Sequence, residues 1–180
     1  DGDPCNACEP CQTINSGQYM DIIELDAASN RGIDEIRDIR EKVNFAPAQG
    51  QRKVYIIDEA HMLTEAASNA FLKTLEEPPP HVIFILCTTD AHKILPTIIS
   101  RCQRFDFRRI PSEQIYGRLA DITEAEGVSV DPEAMRLVAR HAAGSLRDAE
   151  NLLEQLVVSS TSGTDGVTLK QVEELLGLDN

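Results

Sequence analysis

Two acids end an apolar run in Lys53-Val54-Tyr55-Ile56-Ile57-Asp58-Glu59-Ala60-His61. Val54 to Ile57 is rich in β-branched residues and reads as a strand buried on both faces, of the kind found in parallel sheets. In open α/β sheets, ligands bind beyond the carboxyl ends of the strands. An acid pair there suits phosphate chemistry: Asp58 can hold magnesium, and Glu59 can polarise an attacking water, as in a Walker B motif. The same tetrapeptide also fits a strand that ends in acids because strands end at the surface. A second apolar run, Val82 to Cys87, reads as another fully buried strand and ends in Thr88-Thr89-Asp90. Those hydroxyls could contact a phosphate or position water, or they could cap the turn.

Two further groups could do chemistry. Cys5, Cys8 and Cys11 are spaced C-x2-C-x2-C. Such spacing in a cytosolic chain reads as metal-binding, and structural zinc takes four S or N donors. Only three candidates are visible, so a fourth would come from before residue 1. Arg101, Arg104, Arg108 and Arg109 form the most basic stretch of the chain. They read either as surface charge or as guanidinium offered to phosphate. Arg147 falls in the first turn of an expected helix, where a cation opposes the helix dipole. His61, His81, His92 and His141 receive no functional role, and His61 is read as a packing residue.

The elements that must position these residues follow from local signals. Asp21 to Leu25 is a short strand. A helix with Ile33, Ile36, Ile39 and Val43 on one face follows, its charged opposite side a solvated surface. Pro47, Gln49 and Gly50 end it. Thr64 caps a helix to about Glu76, which Pro78-Pro79-Pro80 stop. Pro96 to Ser100 is a short helix, and Gln103 to Phe107 is a last strand. Beyond Pro111 the pattern is helical, at 112–126, 132–143, 146–158 and 169–176. Asp131 precedes Pro132 at a first helical position. Ser145 with Asp148, and Thr168 with Gln171, have capping-box spacing. Leu146, Ala149, Leu153 and Leu156 form an apolar stripe read as bundle core. Ser159 to Gly166 reads as a linker.

The chain has 180 residues, of which 42% are hydrophobic, enough for one or two domains with real cores. Lys+Arg number 17 and Asp+Glu 30, a net charge of −13, which argues against tight unaided binding of nucleic acid. No signal peptide or long apolar run is visible, so a cytoplasmic protein without membrane contact is expected.

Assembled in order, these segments resemble the gamma/tau family of bacterial DNA polymerase III subunits, the AAA+ ATPase motors of the sliding-clamp loader. The resemblance is carried by Cys5 through Cys11, Asp26-Ala27-Ala28-Ser29-Asn30-Arg31-Gly32, Asp58-Glu59-Ala60-His61-Met62-Leu63 and Leu72-Lys73-Thr74-Leu75-Glu76-Glu77-Pro78-Pro79. Thr88-Thr89-Asp90, Ser100-Arg101-Cys102 and Gly144-Ser145-Leu146-Arg147-Asp148 complete it. It implies an α/β fold: a partial AAA+ P-loop NTPase core with a small zinc module at its start, then an all-α lid. The expected divisions are 1–17 for the end of the zinc module, 18–110 for the core and 111–178 for the lid. Asp58 and Glu59 become the Walker B acids, and Thr89, with Thr88, the sensor-1 position. Arg101 becomes the finger acting in trans on ATP held by a neighbour. Arg147 becomes a lid arginine contacting nucleotide of its own subunit, and Cys5, Cys8 and Cys11 become three of four zinc ligands. ATP, magnesium and structural zinc are the implied cofactors. Delta, delta-prime and further gamma/tau subunits, the sliding clamp, and primed DNA held by the assembly are the implied partners. The family is grouped with DNA-directed DNA polymerases.

One departure is large: no G-x-x-x-x-G-K-[ST] occurs. In the family that loop lies upstream of the cysteines, with the strand that sits between those at 82–87 and 103–107. The 180 residues alone are therefore expected to bind ATP poorly, and to be marginally folded with an open slot in the sheet. Three rival readings stand beside the motor. An ATPase-inactive delta-prime-type subunit shares the cysteines and Ser100-Arg101-Cys102. A DEAH-box helicase shares Asp58 to His61. A zinc-stabilised interaction module accounts for the cysteines and the charge.

Overall fold

In a computed structural model, residues 3–160 and 166–178 are described. The chain divides into two compact units, Asp1–Phe105 and Asp106–Asn180.

The first unit is built on a parallel sheet of β1 (Ile22–Asp26), β2 (Lys53–Asp58) and β3 (Val82–Leu86), in that spatial order. Parallel neighbours need crossover connections. Here α2 (Ile33–Lys42) joins β1 to β2, and α3 (Glu65–Glu76) joins β2 to β3. The register aligns Ile23, Tyr55 and Phe84 in one row and Leu25, Ile57 and Leu86 in the next. These rows meet Ile36 and Ile39 of α2 and Ala67 and Phe71 of α3 in one core. Tyr55 stacks on Phe84 at 5.5 Å between ring centroids, and Phe71 meets Phe84 edge-on at 5.0 Å. Thr64 caps α3 by accepting the Ala67 N–H, as its side chain predicts.

Two expectations fail in this unit. β2 and β3 are not buried on both faces. Ile83 and Ile85 are 38% and 43% exposed, and Val54 and Ile56 are only half-buried. Both helices of the shared core lie on the Tyr55 face, so the alternate residues point away from it. Gln103 to Phe107 forms no strand, and Phe105 and Phe107 are 70% and 97% exposed. A strand exists only with a partner, and among the described residues β3 pairs only with β2. The open slot expected in the sheet is therefore present beside β3.

Loops and short helices complete the unit. Cys5 and Cys8 lie in the opening loop, and Cys11 lies in α1 (Glu9–Asn15), a helix that spacing alone did not reveal. Asp21 is 1% exposed and accepts the N–H groups of Ala48, Gln49 and Gly50 at 2.7, 2.7 and 2.8 Å, anchoring the loop that leads into β2. The short helix α4 (Pro96–Ile99) delivers Ser100 and Arg101.

The second unit is helical, as its periodicity predicts: α5 (Ser112–Glu126), α6 (Pro132–His141), α7 (Leu146–Ser160) and α8 (Leu169–Leu176). Ile115, Leu119, Val138, Leu153, Leu156 and Val172 form its centre. Asp131 caps α6, Thr168 and Gln171 make the full capping box, and the Ser145 hydroxyl accepts the Asp148 N–H at 3.2 Å. Of the expected linker, Ser159 and Ser160 belong to α7, and residues 161–165 lie outside the described residues. Among the described residues no helix is long and apolar enough to cross a membrane.

Candidate active site and metal centre

Parallel pairing puts the carboxyl ends of all three strands on one edge, so residues far apart in sequence meet there. Cys87 N–H donates to the Ile57 carbonyl, Ala60 N–H to the Cys87 carbonyl and Ala27 N–H to the Asp58 carbonyl, each at 2.9 Å. Asp58 closes β2 and is exposed, opposite Asp26 of β1 in the register. The Asp26 carboxylate is held below its ordinary range by the Ser29 hydroxyl and the Ala28 N–H.

Glu59 then turns left-handed, at φ 47° and ψ 42°. For a residue other than glycine this costs on the order of 1 kcal/mol or more, and it persists where surroundings over-determine it. The turn swings Glu59 toward the end of β3, where the Thr89 hydroxyl donates to its Oε2 at 3.2 Å. His61 Nδ1 lies 3.3 Å from the same oxygen and 3.0 Å from Thr88 Oγ1. Thr88 Oγ1 accepts the Asp90 N–H at 3.0 Å. Of the two readings open for the hydroxyls, Thr88 thus takes the turn-capping one and Thr89 the one that faces the acid.

The arginines make their contacts elsewhere. Arg101 donates to Glu76 Oε1 at 2.7 Å and to the Thr97 carbonyl. Its side chain remains one-third exposed. Arg147 stands exposed in the first turn of α7, in the second unit, with no hydrogen bond or ion pair among the described residues.

The thiols of Cys5, Cys8 and Cys11 lie within 4.8 Å of one another, with Cys5 and Cys11 at 3.8 Å. Tetrahedral zinc with Zn–S bonds of about 2.3 Å sets its sulfurs about 3.8 Å apart, so the donor set fits. The N–H groups of Ala7 and Cys8 draw the Cys5 thiol down to about 7, toward the thiolate a metal requires. Among the described residues no fourth cysteine, histidine or carboxylate joins the group. By contrast, burial pushes the Cys87 thiol up.

Sequence reasoning missed His61 as a polar partner of Glu59, Asp21 as a loop anchor and Glu76 as the partner of Arg101. The first had a usable signal, a histidine two residues beyond a strand-end acid. The other two depend on partners more than 20 residues away.

Comparisons with known proteins agree on the family. A family model described as DNA polymerase III, delta subunit, matches residues 1–111. One described as DNA polymerase III clamp loader subunit, ATPase lid domain, matches 114–162. The chain is 57% identical over 155 residues to DNA polymerase III subunit tau of Bacillus subtilis, covering 86% of this chain and 28% of that protein. It is 45% identical over 174 residues to subunit tau of Escherichia coli, covering 97% and 27%. The chain thus spans little more than a quarter of these relatives, and 48% of a 44% identical Buchnera aphidicola subunit gamma. Among solved structures, a DNA polymerase III gamma subunit-related protein of Thermotoga maritima superposes with a TM-score of 0.51 at 30% identity, over 84% of this chain and 53% of that one. Thermotoga maritima RuvB superposes at 0.70 with 16% identity, over 92% and 57%, a likeness of fold alone. The sheet and helical unit are thus a partial AAA+ P-loop NTPase core and its lid, and the chain belongs to the DNA polymerase III clamp-loader subunit family, with gamma/tau subunits as its relatives.

Proposed function

We propose that the chain is part of an ATP-hydrolysing motor subunit of the DNA polymerase III clamp loader, which places the sliding clamp on primed DNA during replication. The observation that carries this reading is the Thr89 hydroxyl on Glu59 Oε2 at 3.2 Å, beside Asp58 at the same sheet edge. Asp58 is assigned to magnesium, which when bound would neutralise developing phosphate charge. Glu59 is assigned to orient the attacking water, and Thr89, with Thr88, to sense the phosphate. Arg101 would leave Glu76 to reach nucleotide on a neighbouring subunit, and Arg147 would contact nucleotide of its own subunit. The core is assigned to 18–110 and the lid to 111–178. Residues 1–17 are assigned to the end of a zinc module held by Cys5, Cys8, Cys11 and a fourth ligand. Partners are delta, delta-prime and further gamma/tau subunits, the clamp and primed DNA.

A second reading, an ATPase-inactive loader subunit, is favoured by one observation: the model over 1–111 is described for the delta subunit. The test separates the two. A P-loop-bearing form of the chain, with the family's P-loop segment placed ahead of Asp1, is assembled with loader partners. The expected outcome is ATP hydrolysis stimulated by clamp and primed DNA, reduced about 10³-fold or more by Arg101→Ala. Hydrolysis that ignores clamp and DNA, or survives Arg101→Ala, overturns the motor. No hydrolysis at all, with assembly intact, supports the inactive subunit.

A further inference from the structure

We propose that His61 is a positioning residue for Glu59: its Nδ1–H and the Thr89 hydroxyl together hold Oε2, leaving Oε1 to face the attacking water. The proposal rests on the reading above, in which Glu59 orients that water.

The proton accounting carries it. A carboxylate offers only lone pairs, so a nitrogen 3.3 Å from Oε2 is attracted only if it bears a proton. With the proton on Nε2 instead, two lone pairs would face each other across that gap. Thr88 does not remove the need. Its Oγ1 lies 3.0 Å from Nδ1 and already accepts the Asp90 N–H, and its second lone pair can share the Nδ1 proton. Glu59 thus selects the Nδ1–H tautomer, and the ring, 11% exposed, has little water to compete with it.

Position follows from the same contacts. Glu59 Oε2 receives one donor from its own turn, through His61, and one from the segment after β3, through Thr89. Two donors from two elements fix both the place and the rotation of the carboxylate. They also help to keep Glu59 in its left-handed conformation, which local preference opposes. Oε1 has no protein partner among the described residues and is the oxygen open to water. A poorly placed base can lose about 10²-fold in rate.

The test uses the P-loop-bearing form assembled with loader partners, carrying His61→Asn, His61→Gln or His61→Leu. The asparagine amide reaches about as far as Nδ1, the glutamine amide about as far as Nε2, and leucine keeps the apolar bulk. The expected outcome is a kcat for ATP lowered about 10- to 100-fold in the leucine and glutamine variants, with KM little changed. The asparagine variant should regain most of the rate. Leucine equal to or better than asparagine, or a loss confined to KM, would mean that His61 only packs, and overturns the proposal. Ring ¹⁵N spectra of the same protein give a readout independent of turnover. They should show the proton on Nδ1 in the wild type, shifting toward Nε2 in Glu59→Ala. A wild-type ring protonated only at Nε2 overturns the proposal. If the wild-type assembly hydrolyses no ATP, the motor reading fails, and the ring proton still decides whether His61 holds Glu59.

Discussion

Asp21 has its charge held by backbone. Burial alone would raise its carboxyl, but the N–H groups of Ala48, Gly50 and Gln49, with Lys53 nearby, outweigh burial and hold it below the ordinary range. The folded state thus binds this proton more weakly than the unfolded chain. The stability it contributes is complete above the ordinary aspartate value near 3.9, and it is lost as pH falls through the lower folded value. Asp21→Asn should cost about 2 kcal/mol at neutral pH, because an amide N–H would face donors that now meet a carboxylate. Urea unfolding at pH 7 and pH 3 checks this. The gap between wild type and variant should narrow at pH 3, and a gap of constant size would mean that charge is not the cause. Nothing beside Asp21 in the sequence announces the role, since its partners are 27 to 29 residues away. The same distance hid the His61 pairing with Thr88. Asp58, Glu59 and Thr89 were readable as strand-end residues because an apolar run followed by acids or hydroxyls is a local pattern. Their contact was not readable, because it depends on a left-handed turn at Glu59 that no local signal encodes.

Among elements, β3 shows how burial depends on what lies across the sheet. Phe84 meets Tyr55 and Phe71, while Ile83 and Ile85 on the opposite face are exposed. Composition alone made the two faces look alike, since Val82 to Leu86 is apolar throughout. Phe84→Ala should therefore cost about 3 kcal/mol, the low end for a phenylalanine that is only half-buried. Ile85→Thr should change stability by about 0.5 kcal/mol or less, as an exposed substitution that keeps β-branching. Chemical denaturation of the two variants of this chain makes the comparison, and equal losses would mean that both faces are covered in solution. Residues 103–107 make the related point for strand formation. Phe105 and Phe107 carry alternation a strand would use, yet pairing needs a free neighbouring edge in reach, which is a property of the sheet. Helix ends were more readable. Thr64, Asp131 and Thr168 all cap as their side chains predict, because a cap needs only partners within three residues.

At the scale of the molecule, two cores are built from separate stretches of chain. One draws on residues from Ile23 to Ile94, the other on residues from Ile110 to Leu176. The helical unit is small, and a unit of that size buries a modest fraction of its surface, so each large core side chain carries much of its stability. Leu119 is fully buried at its centre, as Phe71 is in the sheet unit. Leu119→Ala should cost about 2–5 kcal/mol and Phe71→Ala about 3–5 kcal/mol. If each core holds its own unit, the two losses belong to different transitions. In calorimetry Leu119→Ala should lower the melting of the helical unit alone, by about 10 °C or more at about 4–8 °C per kcal/mol for a unit of this length. Phe71→Ala should lower the other transition and leave the first in place. Near-additive losses in the double variant would follow, since distant sites without shared partners add. A single transition that both substitutions lower equally would instead make the chain one cooperative unit. The lid could then respond to nucleotide only together with the sheet. Separate transitions would allow a lid with Arg147 at the start of α7 to change position while Asp58, Glu59 and Thr89 keep theirs.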